Sequence, residues 1–88
     1  MNKPLTDREL QLKRLKFRSW HRGWKETDII LGNFADEKLE GLSAPLVASY
    51  EALLEEDDDV IWAWIIGKTE APEEFSEIIS LIRIHSKA

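Results

Sequence analysis

The chain has 88 residues, enough for one small domain with a modest core. Hydrophobic residues make up 43% and charged residues 33%, a globular balance that argues against disorder, and the absence of cysteine excludes disulfides, thiolate nucleophiles and Cys-ligated zinc or iron–sulfur centres. The net charge of −5 divides sharply: residues 1–25 carry eight Lys/Arg against two acids, a net +6, and residues 26–88 carry four against fifteen, a net −11.

That polarity describes either a basic arm that docks on acidic partners or a helix that lies against its own acidic remainder. No apolar run reaches the ~18 residues of a membrane span. The opening MNKPLTDREL has no apolar secretory segment, and Asp7 and Glu9 weigh against a transit peptide, so a cytoplasmic setting without membrane insertion is expected. Residues 1–88 read as a single domain, with 1–5 expected to be disordered.

In chain order, Thr6 and Glu9 have the capping-box form, flanked by Leu5 and Leu10 at staple positions, which predicts a first helix from Asp7 towards Arg22. Gly23 is placed to end it as a C′ residue. Leu10, Phe17 and Trp20 share one side of this helix, and Leu12 and Leu15 fall on the opposite one. Such a helix lies between neighbours or keeps an apolar stripe for a partner. A second helix is predicted from around Glu26–Asp28, with Ile30, Leu31 and Phe34 facing the core. Ser43 caps a third helix with Pro45 in its first turn, and Leu46, Tyr50, Leu53 and Leu54 keep its period. Asp57–Asp59 open a short fourth helix that ends at Gly67. Pro72, Glu73 and Glu74 open a fifth, whose inner face carries Phe75, Ile78, Ile79 and Ile82.

Three segments also suit strands by composition: Asp28–Phe34, Val60–Ile66 and Ile78–Ile84. The spacing and caps of the last favour helix, whereas Val60–Ile66 stays ambiguous. In a helix Trp62 and Trp64 lie ~200° apart and cannot face one core, so an exposed apolar anchor and a core wrapped on two sides are both open readings.

Enzyme chemistry finds little support. His21 and His85 stand in no metal-ligand spacing, and there is no nucleophile elbow, P-loop or dinucleotide fingerprint. The acids 55–59 lack the spaced ligands and glycine of a calcium loop. The basic first helix with Phe17, Trp20 and Trp24 superficially suits nucleic acid, but a pI near 5.0 and the acidic remainder argue against a phosphate backbone. The more informative feature is Arg22-Gly23-x-x-Glu26: a helix–turn–helix corner expected to present a guanidinium beside a carboxylate as a compact docking surface.

This corner after a basic helix, Asp28 just beyond it, and Tyr50-Glu51-x-x-Leu54 followed by Asp57–Asp59 and Trp62 together resemble the succinate dehydrogenase flavinylation factors, the SdhE-type FAD assembly factors and their mitochondrial relatives, over nearly the whole chain. The resemblance implies an all-α fold, one small bundle of about five short helices. It implies a monomeric assembly chaperone, not an enzyme, that binds the flavoprotein subunit of succinate dehydrogenase, and in some bacteria fumarate reductase. There it promotes covalent attachment of FAD to a histidine of the client, with FAD belonging to the client and not held stably by the chaperone. Arg22, Gly23 and Glu26 match the family signature on the client-facing surface, and Arg18, Asp28, Asp58, Asp59 and Trp62 are further client-binding candidates. His21 and Trp24 depart from the usual pattern. A bacterial cytoplasmic member is expected; a general interaction module anchored by Trp62 and Trp64 is the alternative.

Overall fold

The computed structural model describes residues 5–87, which form five α-helices: α1 (Asp7–Trp20), α2 (Lys25–Lys38), α3 (Ala44–Leu53), α4 (Asp58–Ile65) and α5 (Glu73–Lys87), with a 3-10 turn at Leu39–Gly41 after α2. The all-α class expected from the resemblance is what the chain adopts, and all three strand-like segments are helical. Of the segment 1–5, residues 1–4 lie outside the described residues.

Local chemistry sets most helix ends. At α1 the capping box is complete: the Glu9 N–H donates to Thr6 Oγ1 (3.1 Å) and the Thr6 N–H donates to Glu9 Oε1 (3.2 Å). Ser43 Oγ accepts from the Leu46 N–H at the start of α3, with Pro45 in the first turn where its missing N–H costs nothing. The ambiguous Val60–Ile66 run is helical because both its ends are specified. Asp58 and Asp59 meet the positive end of α4, and Gly67 at φ +79° closes it. The Gly67 N–H bonds to the Trp64 carbonyl and the Lys68 N–H to the Ala63 carbonyl, the paired bonds of a Schellman cap.

One boundary differs from expectation. Helix α1 stops at Trp20, two residues before Arg22, and Gly23 at φ +110° sits in the turn beyond the cap. The Arg22 N–H bonds to Asp28 Oδ1 (2.8 Å), which pulls this residue out of the helical ladder.

Helix α5 packs against α2, α3 and α4, and α1 packs chiefly on α2. The core joins Leu12 and Leu15 of α1, Leu31, Phe34 and Ala35 of α2, Val47, Tyr50 and Leu53 of α3, Ile61, Trp64 and Ile65 of α4, and Phe75, Ile78, Ile79 and Ile82 of α5. Each fully buried Leu, Ile or Phe contributes about 1.5–3 kcal/mol. Of the two apolar sides of α1, the core takes the Leu12–Leu15 side and leaves Leu10 and Phe17 exposed. Trp20 is accommodated because Gly32 has no side chain: a Cβ there would lie 2.3 Å from its ring carbons. Trp64 is buried against Phe75 (ring centroids 5.6 Å) and Trp62 is half-buried. The two tryptophans therefore form no joint exposed anchor.

Candidate client-docking corner

The turn between α1 and α2 is held by Arg22, a side chain expected to face outward. The Arg22 side chain is 10% exposed, and its guanidinium reaches across to the α3–α4 turn. Nε donates to Asp58 Oδ1 (2.6 Å), Nη1 to the Leu54 carbonyl (2.7 Å) and Nη2 to the Glu56 carbonyl (2.5 Å). The Asp58 side chain is 13% exposed, and buried Thr27 lies 3.0 Å from the same carboxylate oxygen. A planar fork with several fixed donors matches one carboxylate and two carbonyls at once, which a lysine would not do.

This arrangement corrects the expectation that Arg22 and Glu26 stand side by side as a docking pair. Arg22 and Asp58 are spent inside the molecule, and Asp28 is half-buried with one oxygen on the Arg22 N–H. What the corner offers to solvent is Gly23, Trp24 and Glu26. A Cβ on Gly23 would meet nothing within 4 Å, so the space above the turn is open. Among the described residues the Glu26 carboxylate has no hydrogen-bond or ion-pair partner. Asp59 is exposed as well, on the first turn of α4, and Trp62 is half-buried one turn further on. Arg18 bonds Glu55 (3.0 Å) and so ties α1 to the end of α3.

Sequence reasoning left open whether the Leu10–Phe17 side of the first helix stays exposed, and missed the pairing of Phe17 with His21 next to this corner. Phe17 is 64% exposed and Trp24 43% exposed, and His21 stacks on Phe17 with ring centroids 4.0 Å apart. The signal was present in the Phe17–His21 spacing of four, which places the two rings over one another on a helix. Along α2 from Ile29 to Lys38 a groove of about 1280 Å³ opens towards α5, with Ile29, Ile66 and Ile84 on its walls. Among the described residues no cluster of His, Asp and Glu has metal-binding geometry, and no helix is long and apolar enough to cross a membrane.

Comparison with known proteins covers most of this chain. A family model described as "Flavinator of succinate dehydrogenase" matches residues 13–86, from the middle of α1 to the end of α5. The chain belongs to that family. It is 35% identical over 88 residues to the mitochondrial succinate dehydrogenase assembly factor 2 of Dictyostelium discoideum, covering 99% of this chain and 62% of the relative. It is 39% identical over 75 residues to the protein of that name in Schizosaccharomyces pombe, covering 85% and 54%. It is 39% identical over 62 residues to the FAD assembly factor SdhE of Acetobacter pasteurianus, covering 70% and 57%. The chain thus spans between 54% and 62% of the length of these relatives. No solved structure matches it significantly.

Proposed function

We propose that this protein is an assembly factor that binds the flavoprotein subunit of succinate dehydrogenase through the α1–α2 corner and promotes covalent attachment of FAD to a histidine of that subunit. Family membership supports the assembly role, and the relatives carry names to match. The observation that carries the placement is the corner itself: an open glycine turn and an unpaired Glu26 carboxylate, held rigid from beneath by Arg22. Gly23, Trp24 and Glu26 make the contact, with Asp59 and Trp62 at its edge, while Arg18, Arg22, Asp28 and Asp58 position it.

FAD stays with the client. The guanidinium of the corner is directed inward to Asp58 and two carbonyls, and not to a diphosphate outside. The protein contributes no reacting group; it favours the client arrangement in which histidine and flavin are in reacting geometry, by binding that arrangement more tightly than others. A monomer in the bacterial cytoplasm, with fumarate reductase as a second client, completes the proposal.

Co-expression of the flavoprotein subunit with wild type or Glu26→Gln, read by flavin fluorescence of the denatured subunit in a gel, tests it. Loss of an interfacial charge contact is worth about 1–3 kcal/mol, so covalent flavin is expected to fall on the order of tenfold while the assembly factor keeps its stability. Undiminished flavin with the variant would remove the corner from the contact. Gly23→Arg is a less clean probe, because φ +110° strains any L residue there even though the space is open.

A further inference from the structure

The cations of residues 8–25 divide into two sets. Four turn towards the body of the molecule: Lys16 pairs with Glu40 (2.9 Å), Arg18 with Glu55 (3.0 Å) and Arg22 with Asp58 (2.6 Å), and Arg8 donates to the Glu40 carbonyl (3.0 Å). Lys13, Arg14 and Lys25 are exposed, and among the described residues none of them has an ion pair or a side-chain hydrogen bond. Lys13 and Arg14 share a helix face with Leu10, Phe17 and His21, at spacings of three and four.

This face combines apolar area with positive charge. Leu10 is 37% exposed and Phe17 64%. The His21 ring is fixed over Phe17 at an interplanar angle of 17°, with Nδ1 2.7 Å from the Phe17 carbonyl, so the pair is ordered before any partner arrives. Pre-ordered aromatic area loses little conformational entropy on binding, which is the usual property of an interface anchor. Beside it, a cleft of about 310 Å³ lies between α1 and α3, lined by both signs of charge, Arg14 and Arg18 with Asp7 and Glu51, the last bonded to Gln11 (3.3 Å). Its size admits a side chain.

We propose that this face of α1 docks a carboxylate-bearing apolar segment of the flavoprotein, so that the client contact runs from the corner along the first helix; the partner's identity rests on the function proposed above. Lys13 and Arg14 meet its carboxylates, with Lys25 at the corner end, and Phe17 and His21 cover its apolar residues. A protein partner fits better than other polyanions. The net −11 of residues 26–88 repels a nucleic-acid backbone or an anionic bilayer, whereas a folded surface can place its acids only where this face is positive.

The test is titration of the purified flavoprotein subunit with wild type, the double variant Lys13→Glu/Arg14→Glu, Phe17→Ser, and Ile84→Ser on the distant groove as a control. All four positions are exposed, so the circular dichroism spectra are expected to coincide. The charge reversal and Phe17→Ser should each weaken binding about tenfold or more, the charge reversal should also flatten its salt dependence, and Ile84→Ser should bind as wild type does. Wild-type affinity in the charge-reversed and Phe17 variants, with Glu26→Gln still impaired, overturns this docking face and leaves the corner standing. No binding by wild type itself removes the flavoprotein as partner, and the corner assignment falls with it. Binding of wild type to a DNA duplex or to phosphatidylglycerol vesicles, abolished by the charge reversal, would assign the face to another polyanion and equally overturn the proposal.

Discussion

Tyr50 is the sole tyrosine of the chain and is fully buried. Its hydroxyl lies 2.5 Å from Ser19 Oγ and 3.2 Å from the Leu31 carbonyl, and Ser19 Oγ lies 2.7 Å from the Leu15 carbonyl. Two of these three contacts join α3 to α1 and α2, and the phenol has to stay protonated to donate to the Leu31 carbonyl. Burial pushes its pKa from 10.0 up to about 12, with the Ser19 hydrogen bond pulling modestly the other way. A pKa raised in the folded state means that stability is fully present below pH 10.0 and is lost as pH climbs towards about 12. The loss is on the order of 2–3 kcal/mol. Tyrosinate absorbance, which reports Tyr50 alone, should titrate near 12 in native protein and near 10 in urea. Tyr50→Phe should abolish this part of the alkaline slope in urea midpoints; an unchanged slope would show that other groups produce it.

Between elements, the contact of α1 with α2 turns on Trp20 and Gly32. The indole lies where a Cβ would be, and its Nε1–H donates to Asp36 Oδ2 (3.1 Å). Gly32→Ala gains helix propensity of about 1 kcal/mol, but the clash at 2.3 Å exceeds that gain because the obstructing atoms belong to a rigid ring. We expect a net loss of about 1–3 kcal/mol in urea denaturation, and partial recovery in Gly32→Ala/Trp20→Leu. Full stability in the single variant would show that the ring moves aside freely. The helix ends were legible in sequence, because Thr6, Glu9, Ser43, Pro45 and Gly67 act on their own neighbours. Val60–Ile66 was not, since β-branched and aromatic residues suit a buried helix as well as a strand and only the caps and packing decide. The overshoot of α1 to Arg22 has the same origin: Arg22 leaves the helix for partners 32 to 36 residues away, and no local pattern records that.

For the molecule as a whole, Arg22 joins the α1–α2 corner to the α3–α4 turn with three hydrogen bonds, beside the single contacts of Arg18 with Glu55 and Thr27 with Asp58. Removing one partner strands a buried charge, so Arg22→Ala or Asp58→Ala should cost about 3–5 kcal/mol. The double variant should lose clearly less than the sum, with coupling of about 1–3 kcal/mol in a mutant cycle from urea titrations. Additive losses would mean that the two side chains act independently. The candidate site was therefore half legible. The motif Arg22-Gly23-x-x-Glu26 falls at the turn between α1 and α2, where Gly23 and Glu26 are exposed. The direction of the Arg22 side chain depends on partners distant in sequence, and the aromatic face on α1 on which side of a two-sided helix the core selects. Composition left the fate of the +6 segment open; the structure divides it, some cations bonded inward and others left at the surface.

The clasp between residues 22 and 58 also restricts how such proteins can diverge. A lineage that neutralised position 58 while retaining arginine at 22 would strand a guanidinium among backbone carbonyls, so drift at the two sites has to be compensated. Across homologues, an acid at the start of the fourth helix should therefore accompany the signature arginine, even where the intervening thirty-odd residues have changed beyond recognition.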